Sequence, residues 1–477
     1  MRLFFPYIFL LFTLCSCLTD EVYSVSPSDT LTFSVDSVDF DTLIAGDLAH
    51  TRTFQVYNHS KSALRIPSIS LLKGASSVFR VNVDGTALSN GVGTDFEVRS
   101  GDSIRVFVNA LPPSADSDTP VEHTDKLLFQ LESGVVQTLD LAIHGLDVIK
   151  LNAVSLEENT TFTSKRPYQV IDSLVIRPNA ELTILPGTRL LFHPGASLIV
   201  YGKLNVQGTA EANVQFRGDR LGNMFTNQSY DRIPGQWGGI HIKAESYGNA
   251  INFADIHSGS FGILCDSSSV FEAEKIRIEN SILHNTSADA LNLTNATALI
   301  GNSQITNAGG NCVTIQGGDV RMIHCTIGQF YAFTAGKGVA LYFSNSTYPL
   351  QRLEIQNSII TGASSDEIMG VRSADETIPF NYLFQNCLLN TPEYDAPEVI
   401  NCLWDVSDNI VYRADNFYPP FDLNRLVYTF YLSQSSVAIG AADKAITQST
   451  YPNDREEIAQ PEQPNLGCYS RVVPTTE

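Results

Sequence analysis

The most constraining feature of this chain is a series of very short apolar segments that returns at a fixed interval. Leu174-Val175-Ile176, Leu182-Thr183-Ile184, Leu190-Leu191-Phe192, Leu198-Ile199-Val200, Leu204-Asn205-Val206 and Val214-Gln215-Phe216 follow one another with a few residues between them. Each is too short for a helix and suits a strand. Leu174 recurs as Leu198 and Phe192 as Phe216, 24 residues later in both cases. A unit of three short strands cannot bury its apolar side alone, so each turn must stack on the next, which describes a parallel β-helix. Pro186-Gly187 and Pro194-Gly195 supply corners between the sheets.

Farther along, an Asn followed by a small residue recurs after an apolar position: Asn280-Ser281, Asn302-Ser303, Asn357-Ser358, Asn386-Cys387 and Asn401-Cys402, with His324-Cys325 in the same place. Asn tolerates left-handed backbone angles and its amide can bond to the residue above and below, so this reads as a ladder at a repeated corner. Cys325, Cys387 and Cys402 are then small stacked core residues, and His324 a hydrogen-bonding member of the ladder. About ten coils fit between residues 174 and 405, a rod on the order of 50 Å at about 4.8 Å per coil.

The chain has 477 residues, with 43 % hydrophobic content, 30 basic and 51 acidic residues and a formal charge of −21. This composition folds, but the length exceeds what one core usually supports, so at least two domains or a repeat are expected. The charge repels polyphosphate, which disfavours nucleic acid, and it repels acidic polysaccharides unless divalent cations bridge them. Residues 25–146 hold alternating runs at 30–35, 52–57, 79–83, 103–108, 126–131 and 137–143, separated by polar turns. They predict a β-sandwich without an intersheet disulfide, since the segment has no Cys.

At the front, Arg2 precedes an apolar run from Leu3 to Leu14, the layout of a secretory signal over residues 1–16 and too short to span a bilayer. Leu14-Cys15-Ser16-Cys17 resembles a bacterial lipobox. The resemblance implies acylation of Cys17, a tether over 17–24, and anchoring to the outer membrane or cell surface of a Gram-negative bacterium. The acidic pair Asp20-Glu21 resembles an export tag of such lipoproteins. Asp followed by Ser or Thr and an aliphatic residue occurs around Thr30, Ser37, Thr42, Ser103 and Ser173. It resembles the O-glycosylation sequon of one phylum of Gram-negative anaerobes, which makes those five hydroxyls candidate glycosylation positions.

Residues 25–146 resemble immunoglobulin-like modules of secreted bacterial proteins, through Phe54-Gln55-Val56-Tyr57-Asn58 and Arg99-Ser100-Gly101-Asp102-Ser103. The later phrases Pro167-Tyr168-Gln169-Val170, Leu182-Thr183-Ile184-Leu185-Pro186-Gly187-Thr188 and Gly235-Gln236-Trp237-Gly238-Gly239-Ile240 resemble secreted right-handed β-helix proteins of the pectin-lyase-like kind. Ser436-Val437-Ala438-Ile439-Gly440 and Asn465-Leu466-Gly467-Cys468-Tyr469 resemble the closing segment of that family. The expected architecture is therefore all-β: an immunoglobulin-like β-sandwich, a linker and N-terminal cap at 147–173, a right-handed parallel β-helix at 174–405 and a C-terminal closing segment at 406–477, which shields the last coil.

That family includes lyases, hydrolases, epimerases and adhesins, so the resemblance assigns no reaction. The carboxylate phrases of polygalacturonase-like members do not occur. The expectation is a non-catalytic surface lipoprotein that binds a glycan or another surface, with Tyr230, Phe330, Tyr331 and Phe333 as candidate sugar-stacking rings on inserted loops. No catalytic, cofactor or metal residue is assigned. The alternative is a polysaccharide lyase or glycoside hydrolase in the β-helix groove. Asp255, Glu279 and Arg277 are its candidate cluster, and calcium enters under this alternative alone. Convergence of carboxylates and a base in one concave site discriminates the two. Arg217-Gly218-Asp219 is read as part of a coil rather than as an adhesion tripeptide, and Trp237 as core.

Overall fold

The computed structural model describes residues 22–225, 227–268, 270, 273–405 and 415–473. Cys17 and the acidic pair after it lie outside these residues. The chain divides into two units, Met1–Leu146 and Asp147–Glu477.

The first unit is an immunoglobulin-like β-sandwich of two five-stranded sheets. Inward residues of both sheets, among them Val56, Ile66, Phe79, Val106, Phe129 and Leu141, form one core because alternate positions along each strand face the opposite sheet. Asp84 and Gly85 take positive φ (+47° and +88°) in the tight hairpin between Phe79–Val83 and Thr86–Ala87. Thr30 and Ser37 are exposed on this unit, and Thr42 and Ser103 are half-buried in strands Ser37–Ile44 and Ser103–Ala110.

The second unit is a parallel β-helix. Among the described residues, twenty-six strands form one continuous sheet that winds through three faces. Leu174 pairs with Leu198, Leu198 with Ile240, Ile240 with Ile263 and Ile263 with Leu291 on the first face. Leu182 pairs with Leu204 on the second. On the third face the register differs from the expectation: Leu190 pairs with Phe216, and Phe192 with Gly218. The two-residue slip keeps every side chain on its own side of the sheet, so apolar periodicity alone does not distinguish the two registers. The stacked rungs also begin before residue 174, because Ile149–Leu156 already pairs in parallel with Tyr168–Ile176. Ser173, half-buried, is paired with Ser197.

The corner between the second and third faces is the Asn ladder. Asn280, Asn302, His324, Asn357, Asn386 and Asn401 have φ of +52°, +51°, +51°, +51°, +53° and +53°. The Asn280 amide donates to Asn252 Oδ1 at 2.9 Å, and the Asn302 amide to Asn280 Oδ1 at 2.7 Å. The small residue after each corner turns inward. Ser303 Oγ accepts from Ser281 N (3.1 Å), and Ser358 Oγ from Cys325 N (2.9 Å). All six described cysteines are free thiols, and burial pushes Cys265, Cys325 and Cys468 up to about 12.

The closing segment does more than reach the last rung. Residues 415–473 run back along the flank of the β-helix. Asn416 reaches Asp405, Cys468 N donates to Thr326 Oγ1, Tyr469 OH to Gln304 Oε1 and Tyr451 OH to Glu279 Oε1. Its helix Lys444–Thr450, N-capped by Asp443, docks on the ladder, where His324 Nε2 lies 2.8 Å from Thr447 Oγ1 and Asn357 Oδ1 accepts from Asp443 N at 2.8 Å. We refer to this segment as the strap.

Candidate active site

Short strands that repeat in parallel place outward residues of successive rungs side by side, about 4.8 Å apart. On the third face this brings together two such columns. Gln215, Asp255, Ile282 and Gln304 are register partners, and beside them His257 pairs with His284 and His284 with Thr306. Asp255 and His257 share strand Ala254–His257 at alternate positions, so both point the same way. Arg217 projects from strand Val214–Gly218 one rung earlier, and Asp231 comes from the turn Tyr230–Arg232 in the loop that follows.

These side chains form one connected cluster. Asp255 Oδ1 lies 2.9 Å from His257 Nδ1 and 3.1 Å from His284 Nε2. The other nitrogen of His257, Nε2, lies 3.4 Å from Asp231 Oδ1. Asp231 is closely ion-paired with the Arg217 guanidinium. The His257 and His284 rings are 4.9 Å apart. Beneath them Trp237, stacked 4.2 Å from Phe192, donates its indole N–H to the His257 carbonyl at 2.8 Å and so fixes that strand from the core side.

Burial opposes charge throughout the cluster, and the partners decide the outcome. Burial alone would lower His257, but the Asp255 and Asp231 carboxylates outweigh it and raise the imidazole to about 9. Burial would raise Asp255, yet both imidazoles hold it well below its ordinary value. Asp231 is likewise drawn down, against burial, by His257 and Arg217. Burial wins at His284, which lies below its ordinary value in spite of Asp255. His257 therefore favours its protonated form and His284 its neutral form.

The strap roofs the cluster. Arg232 donates to the Leu426 carbonyl at 3.0 Å, and residues 426–431 close a cavity of about 400 Å³. Its lining mixes polar and apolar surface and includes Gln215, Gln304, Thr306, Asn307 and Tyr428 beside Ile282, Leu426 and Phe430. The Tyr428 hydroxyl is shielded from water and has no hydrogen-bond partner among the described residues, and burial pushes it up to about 12. Tyr428 lines the cavity as a neutral phenol.

Several expected site residues fall elsewhere. Phe330 and Tyr331 are 7 % exposed; Phe330 packs against Phe421 and Phe430 of the strap, so neither ring can stack on a sugar in solution. Tyr230 is half-buried, with Arg220 over its ring, and Phe333 alone of the four is well exposed. Asp255 does not meet Arg277 and Glu279, which point out from the second face, where Arg277 pairs with Glu274 and Glu279 accepts from Tyr451. Arg217, Gly218 and Asp219 belong to a rung: Gly218 is paired with Phe192, and Asp219 bonds to Gln169 and His193. Sequence reasoning missed His257, His284 and Asp231. Their one signal is that Asp255 and His257 flank a core residue while His284 lies one coil later.

No family model and no curated protein matches this chain. Among solved structures it is similar, over 28 % of its length, to PapD-like domain 7 of human CEP192, at 12 % identity, 96 % of that chain and a TM-score of 0.18. Over 24 % of its length it is similar to the N-terminal domain of PorA, at 16 % identity, 97 % of that chain and a TM-score of 0.18. A family 123 glycoside hydrolase from Clostridium perfringens matches 24 % of this chain and 26 % of its own, at 8 % identity and a TM-score of 0.18. Likeness at this level carries no argument about function, which rests on the site itself.

Proposed function

We propose that this is a lipid-anchored surface protein, tethered through Cys17, whose pectin-lyase-like β-helix acts as a lyase on an acidic polysaccharide in the cavity beneath the strap. One observation carries the reading: Arg217, Asp231, Asp255, His257 and His284, from successive turns, converge at one cavity of about 400 Å³. Scattered surface charges would have supported a non-catalytic rod. Hydrolysis by paired carboxyls is the weaker alternative, because it needs one carboxyl kept protonated, and both aspartates here are drawn toward the ionised form.

Elimination asks for positive charge beside a uronate carboxylate, a centre that takes the neighbouring proton, and a donor for the departing glycosidic oxygen. Arg232 at the cavity wall supports the first, the His284 imidazole, which burial keeps neutral, the second and the Tyr428 phenol the third. The test is incubation of the full chain with a panel of uronate-containing polysaccharides, read by the ultraviolet absorbance of the unsaturated uronate. Wild type is expected to release product and Tyr428→Phe at least about tenfold less. Binding without product across the panel would overturn the lyase and return the protein to non-catalytic glycan binding.

A further inference from the structure

We propose that Asp255, His257 and His284 form a binding site for one divalent transition ion of the zinc class, with Asp231 as its positioning carboxylate. The inference does not rest on the lyase reading: an ion bound here takes the imidazole nitrogen that reading uses to accept the proton, so the two describe the cluster with and without metal. It begins with a focal point: two imidazole nitrogens on adjacent rungs aim at the same carboxylate oxygen, at 2.9 and 3.1 Å. One donor atom from each of the three residues lies within 4.8 Å of the other two. An ion held at about 2.0–2.2 Å by nitrogen and oxygen ligands separates its donors by about 3.0–3.5 Å, so the ion enters with small movements of side chains already in place.

A second observation points the same way. A ligating imidazole characteristically hands its other nitrogen to a carboxylate, which fixes the ring and its tautomer. His257 does this: Nδ1 faces Asp255 while Nε2 faces Asp231, itself held by Arg217. The opposite side of the His257 strand is pinned by Trp237, so the ligand carrier is rigid. The β-helix supplies the spacing, because register partners His257 and His284 stand one rung apart.

The donor set selects the ion. Two imidazoles and one carboxylate suit zinc, iron(II) or manganese, whereas calcium takes six or more oxygen ligands. The calcium considered with a lyase therefore does not fit this cluster. Three protein ligands leave coordination positions open, and the cluster lines the cavity, so water or an anionic ligand group would complete the shell. A cation there would also offset the repulsion between a chain of charge −21 and an anionic ligand.

The test needs no substrate. The full chain, stripped with a chelator and dialysed, is titrated with Co²⁺ and followed by visible ligand-field absorption and by calorimetry, with Zn²⁺ as competitor. The expected result is one Co²⁺ per chain, displaced by Zn²⁺. Affinity should fall at least about 100-fold in His284→Ala and in the near-isosteric Asp255→Asn, and about 10–100-fold in Asp231→Asn. His241→Ala, in the separate His241–Asp266–Lys243 cluster, should bind as wild type. Absence of stoichiometric binding, or equal affinity in wild type, His284→Ala and Asp255→Asn, would overturn the site whatever the outcome of the product assay.

Discussion

His324 is the ladder position where Asn is replaced, and it carries a quantitative consequence for the strap. Its ring is fully buried, with Nδ1 3.2 Å from the Gly467 carbonyl and Nε2 near both Thr447 Oγ1 (2.8 Å) and the Asn357 amide nitrogen (3.1 Å). Those neighbours assign the tautomer: Nδ1–H donates to the carbonyl, and Nε2 accepts from the Asn357 amide. A second ring proton would displace the Asn357 amide and leave Thr447 Oγ1 as its one acceptor. Burial accordingly lowers the imidazole from 6.5 to about 4, with the Gly467 bond opposing. When the strap opens, the ring regains its ordinary affinity, so the open state binds more protons between pH 4 and 6.5 and docking weakens as pH falls through that window. A difference of about 2.5 units is worth about 3 kcal/mol between pH 7.5 and pH 4, or roughly a hundredfold in the opening equilibrium.

Solenoids need not unfold in one step, so the readout should be local. Hydrogen exchange at two amides reports the strap: Gly467 N, bonded to the Asn357 carbonyl, and Tyr451 N, bonded to Thr447. Protection at both should fall by about two orders of magnitude from pH 7.5 to pH 4 after correction for intrinsic rates. His324→Asn keeps a residue suited to φ of +51° and removes the titrating group, so its protection should lose most of that pH dependence. Equal pH dependence in wild type and His324→Asn would refute the argument.

Three further outcomes follow from the packing. Gly318→Ala should cost at least about 3 kcal/mol in thermal unfolding followed by circular dichroism, because φ is +93° and a Cβ would lie 2.4 Å from the Ala296 carbonyl oxygen. Lys275→Met should destabilise by about 3 kcal/mol in denaturant titration. The buried ammonium bonds to the carbonyls of Lys243, Ala244 and Ser246 at 2.8, 3.1 and 3.4 Å, and a thioether leaves all three without that donor. Trp237→Phe keeps a ring against Phe192 but removes the donor to the His257 carbonyl, so it should cost about 1–3 kcal/mol and lower product release in the polysaccharide assay.

The β-helix was legible because its causes are local and repeated. A short apolar strand, a corner residue that accepts positive φ and a small inward residue recur along the chain, and the Asn280 to Asn401 series could be placed at its corner without coordinates. Exact register was less legible, since Phe192 and Phe216 lie on the same side of the sheet in either of two pairings. In the sandwich, strand Leu64–Leu71 escaped notice because it contains Pro67. Pro67 is accommodated beside an irregularity, opposite Asp95 at φ of +60°. The candidate site was least legible. Asp231 reaches His257 from a loop of irregular length that no sequence spacing marks, and the alternation of Asp255 with His257 and the coil interval to His284 were the one hint of the rest. Phe330 looked available because the strap that buries it is about a hundred residues farther along the chain.

A crystal structure of the full chain soaked with a uronate oligosaccharide tests the central claim most directly. The account predicts sugar density in the cavity under residues 426–431, a uronate carboxylate near Arg232 and a glycosidic oxygen facing the Tyr428 hydroxyl. Sugar seated on another face, or His257 and His284 pointing away from Asp255, would contradict it.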